Sequence, residues 1–154
     1  MNQKDILRYF EERFGISKKL FADHKLYSDQ KGRVFLGPKV AAAGDIAVFI
    51  GMQTARIENG SSKLAKPTSM RIRPSTNFFQ LFGKHATKNF ISLSKEQAQA
   101  YAKGEDIELT QPTGSTEGYV LLKYLDYPLG CGLLKNGNVK NVLPKERRMK
   151  VEFL

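Results

Sequence analysis

The sequence feature that most constrains the fold is a short strand followed at once by a capped helix. Residues 90–93 alternate apolar and polar side chains, as a strand with one buried face does. Ser94 and Gln97 then match a capping box, in which each side chain satisfies a backbone amide of the other residue. The sequence therefore predicts a helix over Lys95–Lys103 that ends at Gly104.

The residues after this helix predict a run of short strands. Asn136 and Gly137 indicate a two-residue hairpin turn, because both residue types accept a positive φ. Residues 126–130 are expected to form a loop between two of the strands. The predicted strands begin at Ile107, cover 119–122 and 132–134, continue over 139–143, and end over 151–153. One short helix among five or six short strands is typical of a small barrel.

The first part of the chain predicts a smaller α/β unit. Asn2 can cap a helix over residues 3–14, where apolar residues recur at helical spacing. Strands are expected over residues 33–36 and 47–50. A short basic strand over residues 70–73 lies among Pro and small polar residues.

These patterns predict an α+β fold with two domains. The Pro and small polar residues on either side of the basic strand are typical of a domain boundary. We expect an α/β domain over residues 1–73 and a β-rich domain over residues 74–154.

The chain carries a large positive charge. It has 25 Lys and Arg against 15 Asp and Glu, a formal net charge of +10 in 154 residues. This excess favours nucleic acid as a partner, ahead of an anionic membrane surface, while solubility alone is the alternative. The sequence shows no apolar leader and no apolar run long enough to span a membrane, and its single cysteine fits a reducing cytoplasm.

The motifs that could indicate catalysis are weak. Residues 32–37 have the first spacing of a phosphate-binding loop but lack the Lys and hydroxyl that follow it. Cys131 has no histidine near it in sequence, and the adjacent Glu105 and Asp106 would point to opposite faces of an extended segment. We therefore predict no catalytic residue, cofactor or metal, and leave His85 as either a base-stacking or an ordinary surface histidine.

Basic residues concentrate in two segments. Residues 63–73 hold four Lys or Arg and no acid, and residues 135–150 hold six against Glu146 alone. Strand alternation in the second segment would project Lys140 and its neighbours as a stripe that follows a phosphate backbone.

The order of motifs from residue 91 onward is similar to that of a known family. The motifs lie at residues 91–94, 95–103, 104–107, 118–122, 127–132, 136–137 and 140–148. Their succession resembles the PUA domain, named for pseudouridine synthases and archaeosine transglycosylases. It is most similar to the PUA-like C-terminal domain of the Sun/Fmu type RNA cytosine methyltransferases, which share a segment like residues 82–89. The first part of the chain more loosely resembles the pre-PUA region of archaeal stand-alone proteins and Nip-type ribosome-biogenesis factors.

The resemblance implies a β pseudobarrel that binds structured RNA. It places the RNA on the face shared by the helix over residues 95–103 and the basic residues 140–148. Neither a glycine-rich S-adenosylmethionine motif nor a catalytic Pro-Cys pair is present, so the likeness is to the appendage and not to the enzyme. Charge and resemblance together give nine candidate RNA-contacting residues: Lys88, Lys95, Lys103, Lys140, Lys145, Arg147, Arg148, Arg71 and Arg73.

The leading hypothesis is a non-catalytic adapter for ribosomal or transfer RNA in ribosome biogenesis or RNA modification. It would act alone, with an RNA-modifying enzyme, or with a ribosome-assembly factor, and without a membrane. The alternatives are a protein-interaction module with an incidental basic face, and a small RNA hydrolase that uses His85 or His24.

Overall fold

The computed structural model describes residues 2–39, 51–58 and 71–149. Within these ranges the chain forms three α-helices and nine strands, and the strands make two sheets. The α+β class predicted from the sequence is therefore confirmed. The predicted strands over residues 47–50 and 151–153 lie outside the described residues.

Helix α1, Gln3–Phe14, forms where the sequence predicts it. The Asn2 side chain accepts a hydrogen bond from the Asp5 amide, and the Asp5 carboxylate accepts one from the Asn2 amide. Gly15 ends the helix with φ +70°, a conformation that glycine adopts without steric cost. The buried positions, Ile6, Phe10 and Phe14, recur every four residues and give the helix one apolar face.

The first sheet has four antiparallel strands in the order β1-β2-β3-β4. They are β1, His24–Ser28; β2, Arg33–Pro38; β3, Met52–Glu58; and β4, Arg71–Pro74. Strand β1 is not predicted from the sequence. None of its residues is fully buried, so it lacks the strict alternation that marks a half-buried strand.

Helix α2 follows the first sheet along the chain, and strand β5 and helix α3 come after it. Helix α2 is Thr76–Phe82, strand β5 is Phe90–Leu93, and helix α3 is Lys95–Lys103. The Ser94 side chain accepts from the Gln97 amide at 3.1 Å, and the Gln97 side chain accepts from the Ser94 amide at 3.0 Å. The predicted capping box is therefore confirmed.

The second sheet is mixed, with the strand order β5-β7-β8-β9-β6. Strand β5 runs parallel to β7, and the other pairs are antiparallel. The new strands are β6, Ile107–Glu108; β7, Gly118–Tyr124; β8, Tyr127–Lys135; and β9, Asn138–Asn141. The predicted hairpin turn between β8 and β9 is confirmed, with positive φ at Asn136 and Gly137.

The prediction of a loop over residues 126–130 is wrong. The turn between β7 and β8 is two residues, Leu125 and Asp126, and Tyr127 already belongs to β8. Pro128 suggested a loop because proline cannot donate a hydrogen bond to a neighbouring strand. It is tolerated here because the register of β7 against β8 shifts beside it, between Leu122 and Lys123.

The largest hydrophobic core joins the two parts of the chain. The Phe10 and Phe78 rings stack with 4.1 Å between centroids, and Phe14 meets Phe79 edge to face at 5.0 Å. The same cluster includes Leu121 of the second sheet, with no exposed surface. The domain division at residue 73 stays a prediction, because α1 and the second sheet share this core.

Candidate nucleic-acid interface

The residues after β9 are held against the end of α3. Asn141 is buried, and its side-chain Nδ2 donates to the backbone carbonyls of Tyr101 at 2.8 Å and Glu105 at 2.9 Å. Its side-chain oxygen accepts from the Leu143 amide at 2.9 Å. We name residues 142–149 the C-terminal segment. Its last residue, Met149, donates its amide proton to Ala102 at 2.7 Å, so both ends of the segment are fixed to α3.

Two of the predicted RNA-contacting arginines lie in this segment and make contacts within the protein. Arg148 is half-buried, and its Nε donates to the Leu143 carbonyl at 3.3 Å. Its side chain covers Gly104, where an added Cβ would lie 2.5 Å from the Arg148 Cδ. Arg147 is exposed and donates to the side-chain oxygens of Asn77 and Gln80 on α2. These arginines therefore help to fix the C-terminal segment between α2 and the end of α3.

The predicted lysines on this side of the protein are exposed. Lys95 and Lys103 are the first and last residues of α3, so about 12 Å of helix separates them. Lys140 projects from β9, and Lys145 begins a short 3-10 helix in the C-terminal segment. That these lysines share one RNA-contacting face stays a prediction.

Lys88 lies elsewhere, and Arg73 of β4 contacts the C-terminal segment from the first sheet. The Lys88 Nζ donates to the Glu12 carbonyl of α1 at 3.2 Å, away from the C-terminal segment. Arg73 is half-buried, with Nη2 donating to the Val142 carbonyl at 2.7 Å and Nη1 3.8 Å from the Glu58 carboxylate. Arg73 therefore connects the first sheet to the C-terminal segment. The structure does not describe the side chain of Arg71, and Lys63 and Lys66 lie outside the described residues.

A polar cleft of about 350 Å³ lies between the first sheet and the C-terminal segment. Arg56, Arg73 and Arg147 supply its cations, and Glu146 is the acidic side chain among the residues that line it. Sequence analysis did not single out Arg56, because it is an isolated charge outside the basic segments. The alternation along β3, with Ala55 buried and Arg56 exposed, could have placed it on the polar face.

The described residues give little support for catalysis. Cys131 is buried, and burial raises the pKa of its thiol well above the ordinary value, so it is a poor nucleophile. His85 is exposed, whereas the His24 Nδ1 is buried and has no hydrogen-bond partner among the described residues. No three His, Cys, Asp or Glu side chains come together as a metal site in this part of the chain. Across residues 2–39, 51–58 and 71–149, every helix is too short or too polar to cross a membrane.

Comparison with known proteins matches the C-terminal part of the chain to one family. Residues 88–149 match the family described as the methyltransferase RsmF PUA domain. The ribosomal RNA small subunit methyltransferase F of Aeromonas hydrophila is 30% identical over 91 residues, 59% of this chain and 19% of that protein. The protein of the same name from Psychromonas ingrahamii is 36% identical over 69 residues, 45% of this chain and 14% of that protein.

The chain spans less than a fifth of the length of these relatives. The match covers β5, α3, all strands of the second sheet and the C-terminal segment. It confirms the resemblance seen in the order of the sequence motifs. Residues 88–149 therefore form a PUA domain of the type found in the RsmF methyltransferases.

Proposed function

We propose that this chain binds structured RNA without catalysing a reaction on it, and that the PUA domain provides the main contact surface. The observation that carries the proposal is the fixed position of the C-terminal segment against α3, inside the matched domain. In this proposal, the fixed segment and α3 present their exposed cations to the RNA from a rigid unit. Cations held in this way can contact successive phosphates without first losing the conformational freedom of a loop.

The lysines and arginines have different roles in this proposal. Lys95, Lys103, Lys140 and Lys145 are exposed and contact phosphates as flexible point charges. Arg147 and Arg148 hold the segment in place through their contacts with α2, Gly104 and Leu143, and their remaining N–H groups face the RNA.

Ribosomal RNA is the substrate class that we favour over transfer RNA. The names of the relatives describe methyltransferases that act on small-subunit ribosomal RNA. A shared PUA domain supports a related RNA for this chain, in RNA modification or ribosome biogenesis in the cytoplasm. We propose that the chain acts as an adapter, alone or beside an RNA-modifying enzyme or assembly factor.

The dependence of RNA affinity on salt tests this proposal. Each neutralised phosphate releases condensed counterions and steepens the fall of log K against log salt by about 0.7 to 0.9. With four or five phosphate contacts, we expect a slope of about −3 to −4.5 for a structured small-subunit rRNA fragment, measured by fluorescence anisotropy. An affinity that hardly changes with salt would contradict the proposal and favour a protein-interaction module. Cleavage of the labelled RNA during the titration would favour a hydrolase.

A further inference from the structure

We propose that the cleft between the first sheet and the C-terminal segment binds one nucleotide of the RNA, with its phosphate held by Arg56, Arg73 and Arg147. We call this the arginine cleft. This inference rests on the proposed function and extends the RNA contact from the PUA surface onto the first sheet.

The first argument is a row of arginines that crosses three neighbouring strands. Arg56 lies opposite Arg33 on β2 and opposite Arg73 on β4. Like charges directly opposite each other in an antiparallel pair are destabilising. A bound anion would remove this repulsion, so the row favours phosphate in the cleft.

The second argument is that the charge at the middle of the row is not neutralised. Arg33 pairs with Asp29 at 2.6 Å, and Arg73 has Glu58 at 3.8 Å. Arg56 makes no ion pair or hydrogen bond with any residue that the structure describes. The positive charge available to a ligand is therefore greatest at Arg56, which lines the cleft.

The third argument is that the other two guanidinium groups are held in place mainly by neutral acceptors. Arg147 donates to the side-chain amide oxygens of Asn77 and Gln80, and Arg73 donates to the Val142 carbonyl. These contacts fix the positions of the guanidinium groups, and Glu58 is the carboxylate paired with Arg73. A guanidinium has five N–H donors, so both groups keep donors for phosphate oxygens.

The size and lining of the cleft indicate a nucleotide instead of phosphate alone. A volume of about 350 Å³ lies at the lower end of the range for ligand pockets. It equals about twelve waters at roughly 30 Å³ each, much more than one phosphate group fills. The side-chain amides of Gln53 and Asn77 also line the cleft, and amides can both donate to and accept from a base edge.

The test is a titration of the full chain with uridine 5′-monophosphate, followed by NMR chemical shifts of backbone amides. We expect the nucleotide to shift the amides of Ser75, Asn77 and Glu146, and to bind more tightly than inorganic phosphate or uridine. Arg56→Gln should weaken nucleotide binding by about fivefold or more, since it removes a charged donor without breaking a contact. Arg147→Gln is a second variant that we also expect to weaken nucleotide binding.

Arg8→Gln is the matched control, because Arg8 is an exposed arginine on α1 and its loss changes the net charge equally. We expect it to leave nucleotide affinity within about twofold. Equal losses for Arg56→Gln and Arg8→Gln, or phosphate binding as tightly as the nucleotide, would overturn the proposal. The salt titration with rRNA tests the proposed function separately, so the nucleotide site can fail while RNA binding stands.

Discussion

Asn141 shows how one buried polar side chain can position a surface. It is 8% exposed, and its amide group contacts the backbone of Tyr101, Glu105 and Leu143. Buried backbone groups without partners are costly, so this side chain stabilises both the end of α3 and the start of the C-terminal segment. The lysines of the proposed RNA surface depend on that arrangement for their positions.

We predict that Asn141→Ala lowers the free energy of unfolding by about 2 to 4 kcal/mol, because it removes the side-chain partners of the Glu105 carbonyl and the Leu143 amide and one of the two donors to the Tyr101 carbonyl. Asn138→Ala is the control, since Asn138 lies on the same strand and is exposed. Asn138→Ala should change the free energy of unfolding by no more than about 0.5 kcal/mol. Urea denaturation of both variants measures the difference. Equal costs would show that the hydrogen bonds of Asn141 do not hold the segment.

At the scale of single elements, the turn between β1 and β2 is stabilised by one carboxylate. Asp29 accepts from the amides of Lys31 and Arg33, both at 2.9 Å, and from the Arg33 Nε at 2.6 Å. Desolvation opposes ionisation of the carboxyl, but the hydrogen bonds from Arg33 and Lys31 outweigh it and lower the pKa of Asp29.

We predict that Asp29 stabilises the fold at neutral pH and that this stabilisation is lost in acid. A group with a lowered pKa in the folded state contributes fully above its unfolded pKa of about 3.9, and loses that contribution as the pH falls through the folded value. Asp29→Asn should therefore lower the melting temperature at pH 7, with a difference that shrinks below about pH 4. Asp126→Asn, at the exposed β7–β8 turn, is the control. A pH-independent difference for Asp29→Asn would contradict the assignment.

The elements that can be predicted from the sequence are those whose determinants are local. The N-cap at Asn2, the capping box at Ser94 and the turn at Asn136 each depend on residues within a few positions of one another. The structural context of Pro128, which was misassigned, and of Arg56, which was overlooked, depends on residues far away in sequence. Pro128 is tolerated because of the strand register beside it, and Arg56 gains its importance from strands β2 and β4.

At the scale of the whole molecule, the N-terminal part is bound to the PUA domain by both apolar and polar contacts. The Arg13 guanidinium of α1 donates to the carbonyls of Thr116, Glu117 and Tyr119, in addition to the shared aromatic core. The Tyr119 hydroxyl donates to the Glu58 carboxylate of the first sheet at 2.7 Å. The two walls of the arginine cleft likewise belong to different parts of the sequence, the first sheet and the C-terminal segment.

The central claim is that RNA binds at a localised surface, and not through the net charge of +10 alone. Two triple variants distinguish a localised surface from attraction by net charge, because both change the net charge by the same amount. The first replaces Lys103, Lys140 and Lys145 with Gln, all on the proposed surface. The second replaces Lys4, Lys19 and Lys31, which are exposed on the N-terminal part. Melting temperatures check that both variants are folded.

The most direct measurement is the dissociation constant of each triple variant for the same small-subunit rRNA fragment at fixed salt. We predict that the first variant binds at least about tenfold more weakly than the unmodified chain, because it loses up to three phosphate contacts. The second should stay within about twofold, since its lysines lie outside the proposed RNA-contacting residues. Equal losses of affinity for the two variants would mean that the attraction is diffuse, and would contradict the account.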